Sequence, residues 1–133
     1  MYKVLLVDDE YMITEGLKRL IPFEKWDMEV VATANHADDA LDYVREHPVD
    51  VVISDVNMPG KTGLEMIGEM KELLPDAYYI LLSGYQEFDY VKKAMNLNVV
   101  DYLVKPVDKV ELEHLLEKIL GQLREKVHEP EML

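Results

Sequence analysis

Apolar and polar residues form two alternating patterns along this chain. Five short runs are rich in β-branched and aromatic residues and are bounded by turn formers, which is typical of β-strands. These runs cover residues 2–7, 29–33, 49–53, 78–82 and 99–104. After each run, apolar residues recur every three or four positions, which predicts one helix per connection. The apolar stripes consist of Ile13, Leu17, Leu20 and Ile21; Ala37, Ala40, Leu41 and Val44; Leu64, Ile67, Met70 and Leu74; Phe88, Val91 and Met95; and Leu112, Leu115, Leu116, Ile119 and Leu123.

The polarity of the strands indicates their order in the sheet. Strict alternation of strand and helix predicts an α/β fold, with a parallel sheet covered by helices on both faces. The runs at residues 4–7 and 51–53 are continuously apolar, as central strands should be. The second and fifth runs contain Glu29, Thr33 and Asp101, which suits edge strands. We therefore predict a flavodoxin-like, doubly wound (βα)5 three-layer sandwich with a five-stranded parallel sheet of order 2-1-3-4-5.

The last predicted helix extends beyond what a compact domain requires. Its apolar positions continue toward Val127, and Pro130 then ends the helix. Two interpretations remain open: a long terminal helix that packs on the sheet, or the beginning of a coiled coil or linker. We expect one domain over residues 1–122, followed by the end of the helix and the start of a linker or tail over residues 123–133.

Composition narrows the class of protein. The chain has 133 residues, and 14 Lys and Arg against 27 Asp and Glu give a net charge of −13. Such a charge opposes autonomous binding to nucleic acid, because phosphates would be repelled. The absence of Cys excludes disulfides and thiolate chemistry. No apolar run approaches the roughly 20 residues that a bilayer requires, and the N-terminus does not resemble a signal peptide. We expect a soluble cytoplasmic domain that does not bind membranes.

Polar residues follow four of the predicted strands, at the point where each strand ends. In a parallel sheet these positions share one edge, where ligands bind in this class of fold. The residues are, strand by strand, Asp8, Asp9 and Glu10; Ser54, Asp55 and Asn57; Ser83, Gly84 and Tyr85; and Lys105 and Pro106. Carboxylates that converge in this way repel one another, and a hard cation such as Mg²⁺ relieves the repulsion. With Lys105 nearby, the set predicts phosphoryl transfer in which Asp55 attacks phosphorus.

Each of these residues also has a purely local explanation. Asp8 and Asp9 could simply cap the first helix, and Asp55 could simply belong to a turn, without any role in chemistry. Ser83 and Lys105 could likewise be ordinary strand exits, and Tyr102 an ordinary strand aromatic. These explanations must all hold together on one edge, which makes the joint coincidence improbable. The four His residues lack the spacing of a metal site.

At this point the residues resemble the receiver domains of two-component response regulators, over residues 2 to about 122. The motifs are an acidic pair after strand one, Asp with Met-Pro-Gly after strand three, Ser-Gly after strand four, and Asp-Tyr-Leu-x-Lys-Pro at strand five. They stand here as Asp8 and Asp9; Asp55, Met58, Pro59 and Gly60; Ser83 and Gly84; and Asp101, Tyr102, Leu103, Lys105 and Pro106. Residues 21–26 and 83–88 further resemble the subgroup usually joined to an AraC-type helix-turn-helix output domain.

The resemblance implies a role for individual residues. Asp55 would accept phosphate from the phosphohistidine of a sensor histidine kinase. Asp9 and Asp55 would bind Mg²⁺ directly, with the backbone carbonyl of Asn57 as a third ligand and Asp8 acting largely through water. Lys105 would pair with the phosphoryl group. The resemblance also implies two switch residues and one cis peptide bond. Ser83 would move toward the phosphoryl oxygen and Tyr102 would turn inward, and the bond before Pro106 is expected to be cis.

A regulatory phosphoacceptor of this kind is no turnover enzyme. The added charge would switch a face made of a helix at residues 86–95, strand five and the last helix, through which a homodimer could form. The expected output is transcription, through a fused DNA-binding domain that is absent from this chain. The sequence leaves open whether such a domain was removed or never existed.

The sequence departs from the family pattern at three places, and two rival functions compete with this expectation. His36 and Asn98 replace glycines that are frequent in the family, and Lys61 and Thr62 replace a commoner Met-Asp. None of these changes removes a proposed catalytic group. A Mg²⁺-dependent phosphatase of the haloacid-dehalogenase type is one rival, but Asn57 stands where such enzymes carry a second Asp. A pure interaction module with a vestigial site is the other.

Overall fold

The computed structural model describes residues 1–84 and 101–128, with side chains as far as residue 125. Within these residues, five parallel strands form one sheet in the order β2-β1-β3-β4-β5, which confirms the predicted fold. The strands are β1 (Tyr2–Val7), β2 (Met28–Ala34), β3 (Val51–Asp55), β4 (Tyr78–Ser83) and β5 (Asp101–Val104). The predicted edge strands, β2 and β5, do lie at the two edges.

Helices cover both faces of the sheet. They are α1 (Tyr11–Leu20), a 3₁₀ helix (Phe23–Trp26), α2 (Ala37–Glu46), α3 (Gly63–Leu73) and the last helix, here α4 (Lys109–His128). Apolar residues of α2 and α3 share one core with one face of the sheet. Apolar residues of α1 and α4 share a second core with the opposite face. The three layers follow from strands whose side chains alternate between two buried faces.

The last helix packs against the sheet along its predicted stripe. Leu112, Leu116 and Ile119 are fully buried, and Leu123 is 6% exposed. The packed-helix interpretation therefore describes α4 as far as Leu123. Burial of each of these side chains stabilises the fold by about 2 kcal/mol.

Several boundaries differ from the sequence prediction. Strand β3 begins at Val51 rather than at residue 49, because the chain bends at Asp50. The Asp50 carboxylate accepts a hydrogen bond from the amide of Lys3 at 2.8 Å. Strands β3 and β4 continue through Asp55 and Ser83, so that both predicted site residues end a strand. Leu20 was placed in the apolar stripe of the first helix, yet it is 41% exposed.

Some predictions fall outside the described residues. These are the helix predicted at residues 86–95, the first two residues of the fifth predicted strand, Tyr85 and Asn98.

Candidate functional site

The sheet register brings the two central strands to the same level at their carboxyl ends. Val7 of β1 is paired with Ser54 of β3, so Asp8 and Asp55 follow side by side. Both carboxylic acids are buried, Asp8 at 1% and Asp55 at 5% exposure. Two neighbouring carboxylates removed from water require positive charge nearby, because burial and mutual repulsion both disfavour ionisation.

Lys105 supplies such a charge. Its Nζ lies 3.2 Å from Oδ2 of Asp8 and 3.2 Å from Oδ2 of Asp55. The residue follows β5 directly, and its backbone amide donates to the carbonyl of Ser83 at 2.7 Å. The Lys105–Pro106 peptide bond is cis, as the resemblance implied. The ammonium group is therefore shared between two carboxylates at the carboxyl edge of the sheet, with 25% of the side chain exposed.

The pKa values of this pair reflect the competition between burial and charge. Burial raises the pKa of Asp8 and the nearby charge of Asp55 adds to the rise, whereas the Glu10 amide and Lys105 oppose it. Burial alone would lower the pKa of Lys105, but the charges of Asp55 and Asp8 outweigh burial and raise it. Lys105 is therefore firmly protonated at neutral pH, while ionised Asp8 is held at an energetic cost.

Asp8, Asp9 and Glu10 form a second grouping at the same edge. One carboxylate oxygen from each lies within 4.8 Å of the others. Asp8 is buried and the other two are exposed, and Oδ1 of Asp8 also accepts a hydrogen bond from the Glu10 amide at 2.9 Å. Asp55 is not a member of this trio. It is linked to Asp8 by the ion pairs that both residues make with Lys105. Oxygen donors that are partly open to water suit Mg²⁺, which retains several of its water ligands.

The backbone of the loop after β3 makes a hydrogen bond to the carboxylate of Asp55. The amide of Asn57 donates to Oδ1 of Asp55 at 3.4 Å, and the Asn57 side chain is exposed. On the other side, the hydroxyl of Ser54 donates to the backbone carbonyl of Asp55 at 2.9 Å. Buried Met58, which packs in the α2–α3 core, anchors the loop.

The two predicted switch residues lie on neighbouring strands. Ser83 is buried at the end of β4 and is paired in register with Val104, one residue before Lys105. It stands one position beyond Leu82, the register partner of Asp55. Tyr102 is half-buried and packs against the α2–α3 core. The structure thus gathers Asp8, Asp55 and Lys105 directly, with Ser83 adjacent on β4.

Gly63 is a site residue that the sequence analysis did not identify. A Cβ at this position would lie 2.2 Å from the carbonyl oxygen of Asp55, which is far too close. The Gly63 amide also donates to the carbonyl of Val56 at 2.8 Å. The first residue of α3 therefore packs directly on the backbone of Asp55. The available signal was a glycine placed immediately after a helix-capping Thr62, where glycine has no capping function.

No helix among the described residues combines the length and apolar character needed to cross a bilayer.

Relatives of this chain were found by sequence. Residues 4–117 match the family model described as response regulator receiver domain. An uncharacterized response regulatory protein of Staphylococcus epidermidis is 41% identical over 128 residues, which cover 96% of this chain and 50% of that protein. The transcriptional regulatory protein HptR of Staphylococcus aureus is 37% identical over 126 residues, covering 95% and 49%. The chain thus spans about half the length of the curated relatives that it matches.

Solved structures agree with this result. The REC domain of AraT, a response regulator from Geobacillus stearothermophilus, superimposes with a TM-score of 0.89 at 38% identity, over 94% of this chain and 97% of that one. A two component transcriptional regulator AraC from Clostridium phytofermentans gives a TM-score of 0.87 at 28% identity, with coverage of 94% and 97%. The chain therefore belongs to the family of receiver domains of two-component response regulators.

Proposed function

We propose that Asp55 accepts a phosphoryl group from the phosphohistidine of a sensor histidine kinase. The observation that carries the proposal is the single ammonium of Lys105, 3.2 Å from both Asp8 and Asp55 at the carboxyl edge of the sheet. A buried carboxylate beside a cation has the arrangement that phosphoryl transfer requires.

In this transfer, a carboxylate oxygen of Asp55 forms a bond to phosphorus while the bond from phosphorus to the donor histidine nitrogen breaks. The electron pair of the broken bond stays on that nitrogen. The histidine leaves as a neutral imidazole because its other ring nitrogen carries a proton, and the product is an aspartyl phosphate. Lys105 is flexible and carries three donors, so it can transfer a hydrogen bond from a carboxylate to a phosphoryl oxygen. Ser83, beside it on β4, is proposed to hydrogen-bond another phosphoryl oxygen.

We propose that Asp9, Asp55 and the backbone carbonyl of Asn57 hold Mg²⁺, with Asp8 acting largely through water. The donor set fits, because all of these groups offer oxygen and because the site already contains more negative than positive charge. Mg²⁺ neutralises charge on the carboxylates and phosphoryl oxygens when it is bound. Asp8 keeps Lys105 in place, and the Asn57 amide orients one oxygen of Asp55.

An apolar groove beside Lys105 supplies a docking surface for the proposed kinase partner. The groove has a volume of about 570 Å³ and lies between α1 and residues 105–107. Met12 and Leu20 of α1 line it and are 76% and 41% exposed. A donor histidine must approach Asp55 over this edge, so the kinase surface around that histidine would cover the groove.

The signal is proposed to leave the site through Ser83 and Tyr102. Phosphorylation adds about −1.5 to −2 charges, and an element with two arrangements must respond to them. The candidate element comprises the helix predicted at residues 86–95, β5 and α4. Asp101 of β5 lies 3.9 Å from Lys118 of α4, which links two parts of that face. A homodimer through this face is the proposed consequence.

The whole protein is proposed to be a cytoplasmic transcription regulator. Residues 1–122 would form the receiver and residues 123–133 would lead toward an AraC-type helix-turn-helix domain. The relatives named transcriptional regulators support this output, as does the AraC solved structure. DNA binding would belong to the output domain, because the net charge of −13 opposes it here.

Acetyl phosphate with Mg²⁺ tests the proposal without a kinase. Intact-mass measurement should show one added phosphoryl group on the wild type and none on Asp55→Asn. The matched control is Asp50→Asn, the same substitution at the opposite end of the sheet, which should be phosphorylated normally. An unmodified wild type, or equal modification of Asp55→Asn, would contradict the assignment. Steady release of phosphate from phosphomonoesters would instead indicate a phosphatase.

A further inference from the structure

Lys61 joins the loop after β3 to two helices. Its Nζ lies 3.5 Å from Oδ1 of Asp38 in the first turn of α2 and also contacts Oε2 of Glu69 in α3. The Lys61 side chain is 28% exposed, less than either partner. The hydrogen bond to Glu69 is the largest influence and, together with the charges of Glu69 and Asp38, it outweighs the opposing effect of desolvation and raises the pKa of Lys61. One cation therefore bridges α2, α3 and the loop that follows the phosphoacceptor.

The loop at residues 56–62 is held firmly at its two ends. The amide of Val56 donates to the carbonyl of Leu82 at 3.0 Å. At the other end, Thr62 and Glu65 form a reciprocal capping box at the start of α3. Between these ends, Gly60 has a φ of 78° and is exposed. Lys61 directly follows this glycine, so its ion pairs hold the part of the loop where the backbone has the greatest freedom.

The position of this loop matters for the proposed metal site. The Asn57 carbonyl is the backbone ligand in the proposed set, and Mg²⁺ demands near-octahedral geometry with short bonds. A small displacement of a ligand therefore weakens binding considerably. Exposed ion pairs, by contrast, contribute little to the stability of a whole protein. The expected consequence of losing Lys61 is a weaker metal site in a protein that still folds.

We propose that Lys61 is a positioning residue for the Mg²⁺ site. By bridging Asp38 and Glu69, it keeps the Asn57 carbonyl at the edge of the carboxylate cluster. The inference rests on the proposed function, because it takes from there the role of Asn57 in binding metal. It extends that function by making the surface between α2 and α3 a determinant of metal affinity.

The test compares two variants that remove the same charge. Lys61→Met eliminates the bridge, whereas Arg45→Met eliminates a 2.7 Å ion pair with Asp42 that lies within α2 and does not reach the loop. Loss of a positive charge on an acidic protein should by itself tighten Mg²⁺ binding slightly. We therefore expect a slightly lower Mg²⁺ dissociation constant for Arg45→Met. For Lys61→Met we expect a dissociation constant about tenfold higher, as for residues that orient metal ligands. Isothermal titration calorimetry with MgCl₂ measures both.

Amide hydrogen exchange in the absence of metal gives an independent readout. Exchange at the amides of residues 57, 58, 60 and 61 should accelerate in Lys61→Met but not in Arg45→Met; Pro59 has no amide hydrogen. Lys61→Arg should keep both the exchange rates and the Mg²⁺ affinity close to those of the wild type. Equal Mg²⁺ affinity and equal exchange in the two Met variants would overturn the role of Lys61. A wild type that takes up no Mg²⁺ would overturn the proposed function itself. The exchange comparison would still decide whether Lys61 holds the loop.

Discussion

Gly63 and Asp55 meet backbone to backbone: a Cβ on Gly63 would lie 2.2 Å from the carbonyl oxygen of Asp55. The same carbonyl accepts a hydrogen bond from the Ser54 hydroxyl. Asp55, the proposed phosphoacceptor, and the first residue of α3 are therefore packed backbone against backbone, so a shift of one must displace the other.

Gly63→Ala should destabilise the protein and impair phosphorylation of Asp55. The added methyl group must displace backbone atoms, and overpacking of this kind costs about 1–3 kcal/mol. Urea denaturation measures the loss. Gly68→Ala is the matched control, because a Cβ there meets nothing within 4 Å in the middle of α3. The control should gain up to about 1 kcal/mol through helix propensity. Equal stability of the two variants would contradict the proposed contact.

Asp8→Asn should stabilise the metal-free protein at neutral pH by about 1 kcal/mol, the usual size of a single substitution. Burial, with help from Asp55, raises the folded-state pKa of Asp8 above its ordinary value of 3.8, so ionisation of Asp8 costs stability. Asp8 accepts the Glu10 amide through Oδ1 and Lys105 through Oδ2, so an Asn keeps only one of these hydrogen bonds, while Lys105 retains Asp55. The relief of the ionisation cost is expected to exceed this loss.

The pH dependence follows from the direction of that shift. The cost of ionising Asp8 is absent below pH 3.8 and complete above its folded-state pKa. The advantage of Asp8→Asn over wild type should therefore grow as the pH rises from 4 to 7. Denaturation in EDTA at several pH values measures it, with exposed Asp39→Asn as the control. An advantage that shrinks over this range would refute the explanation.

Tyr79→Phe should remove part of the loss of stability in alkaline solution. Burial raises the pKa of Tyr79 above its ordinary value of 10.0, and its hydroxyl donates to the Leu74 carbonyl at 2.9 Å. Above pH 10.0 the unfolded chain ionises first, so Tyr79 lowers stability by about 1.4 kcal/mol for each further pH unit. Below that pH the variant should instead be about 1 kcal/mol less stable, because a hydrogen bond is lost.

Denaturation curves between pH 8 and 11 distinguish these two effects. The curves for wild type and Tyr79→Phe should approach each other as the pH rises. Tyr11→Phe, at an exposed position, should follow the wild type throughout. Curves that remain parallel would show that Tyr79 ionises equally readily in both states.

Met12→Ser should slow phosphorylation by the proposed kinase but leave phosphorylation by acetyl phosphate unchanged. Met12 is exposed in the groove beside Lys105, where the kinase is proposed to dock. Loss of a central apolar contact typically costs about 1–2 kcal/mol of binding, so transfer from the kinase should slow by about tenfold. Phosphorylation by acetyl phosphate should not change. The control is Leu73→Ser on α3, which removes an apolar side chain that is 41% exposed and lies outside the groove; it should affect phosphorylation by neither donor.

The sequence predicted well the features that depend on hydrophobic periodicity and on the parallel direction of the strands. Continuous apolar runs identified β1 and β3 as central strands, and the rule that parallel strands end at one edge brought Asp8, Asp55 and Lys105 together. The prediction for Leu20 failed for a physical reason. Leu20 is the last residue of α1, and the chain turns so that Ile21 is buried in its place.

Gly63 and Lys61 were beyond the reach of pattern analysis. The need for glycine at position 63 depends on how closely α3 approaches the backbone of Asp55. The bridge made by Lys61 depends on the path of a loop and on the spacing of two helices. Neither quantity is encoded in the local alternation of apolar and polar residues, because both arise only when distant segments pack.

The lysine shared by two carboxylates affects the order in which folding and metal binding can occur. Since an internal ammonium already offsets part of the acidity at that crevice, a newly synthesised chain has a counter-charge of its own before any divalent ion arrives. Folding and ion loading can thus proceed as separate events. If phosphoryl transfer needs Mg²⁺, as proposed, removal of magnesium would stop the transfer without unfolding the domain.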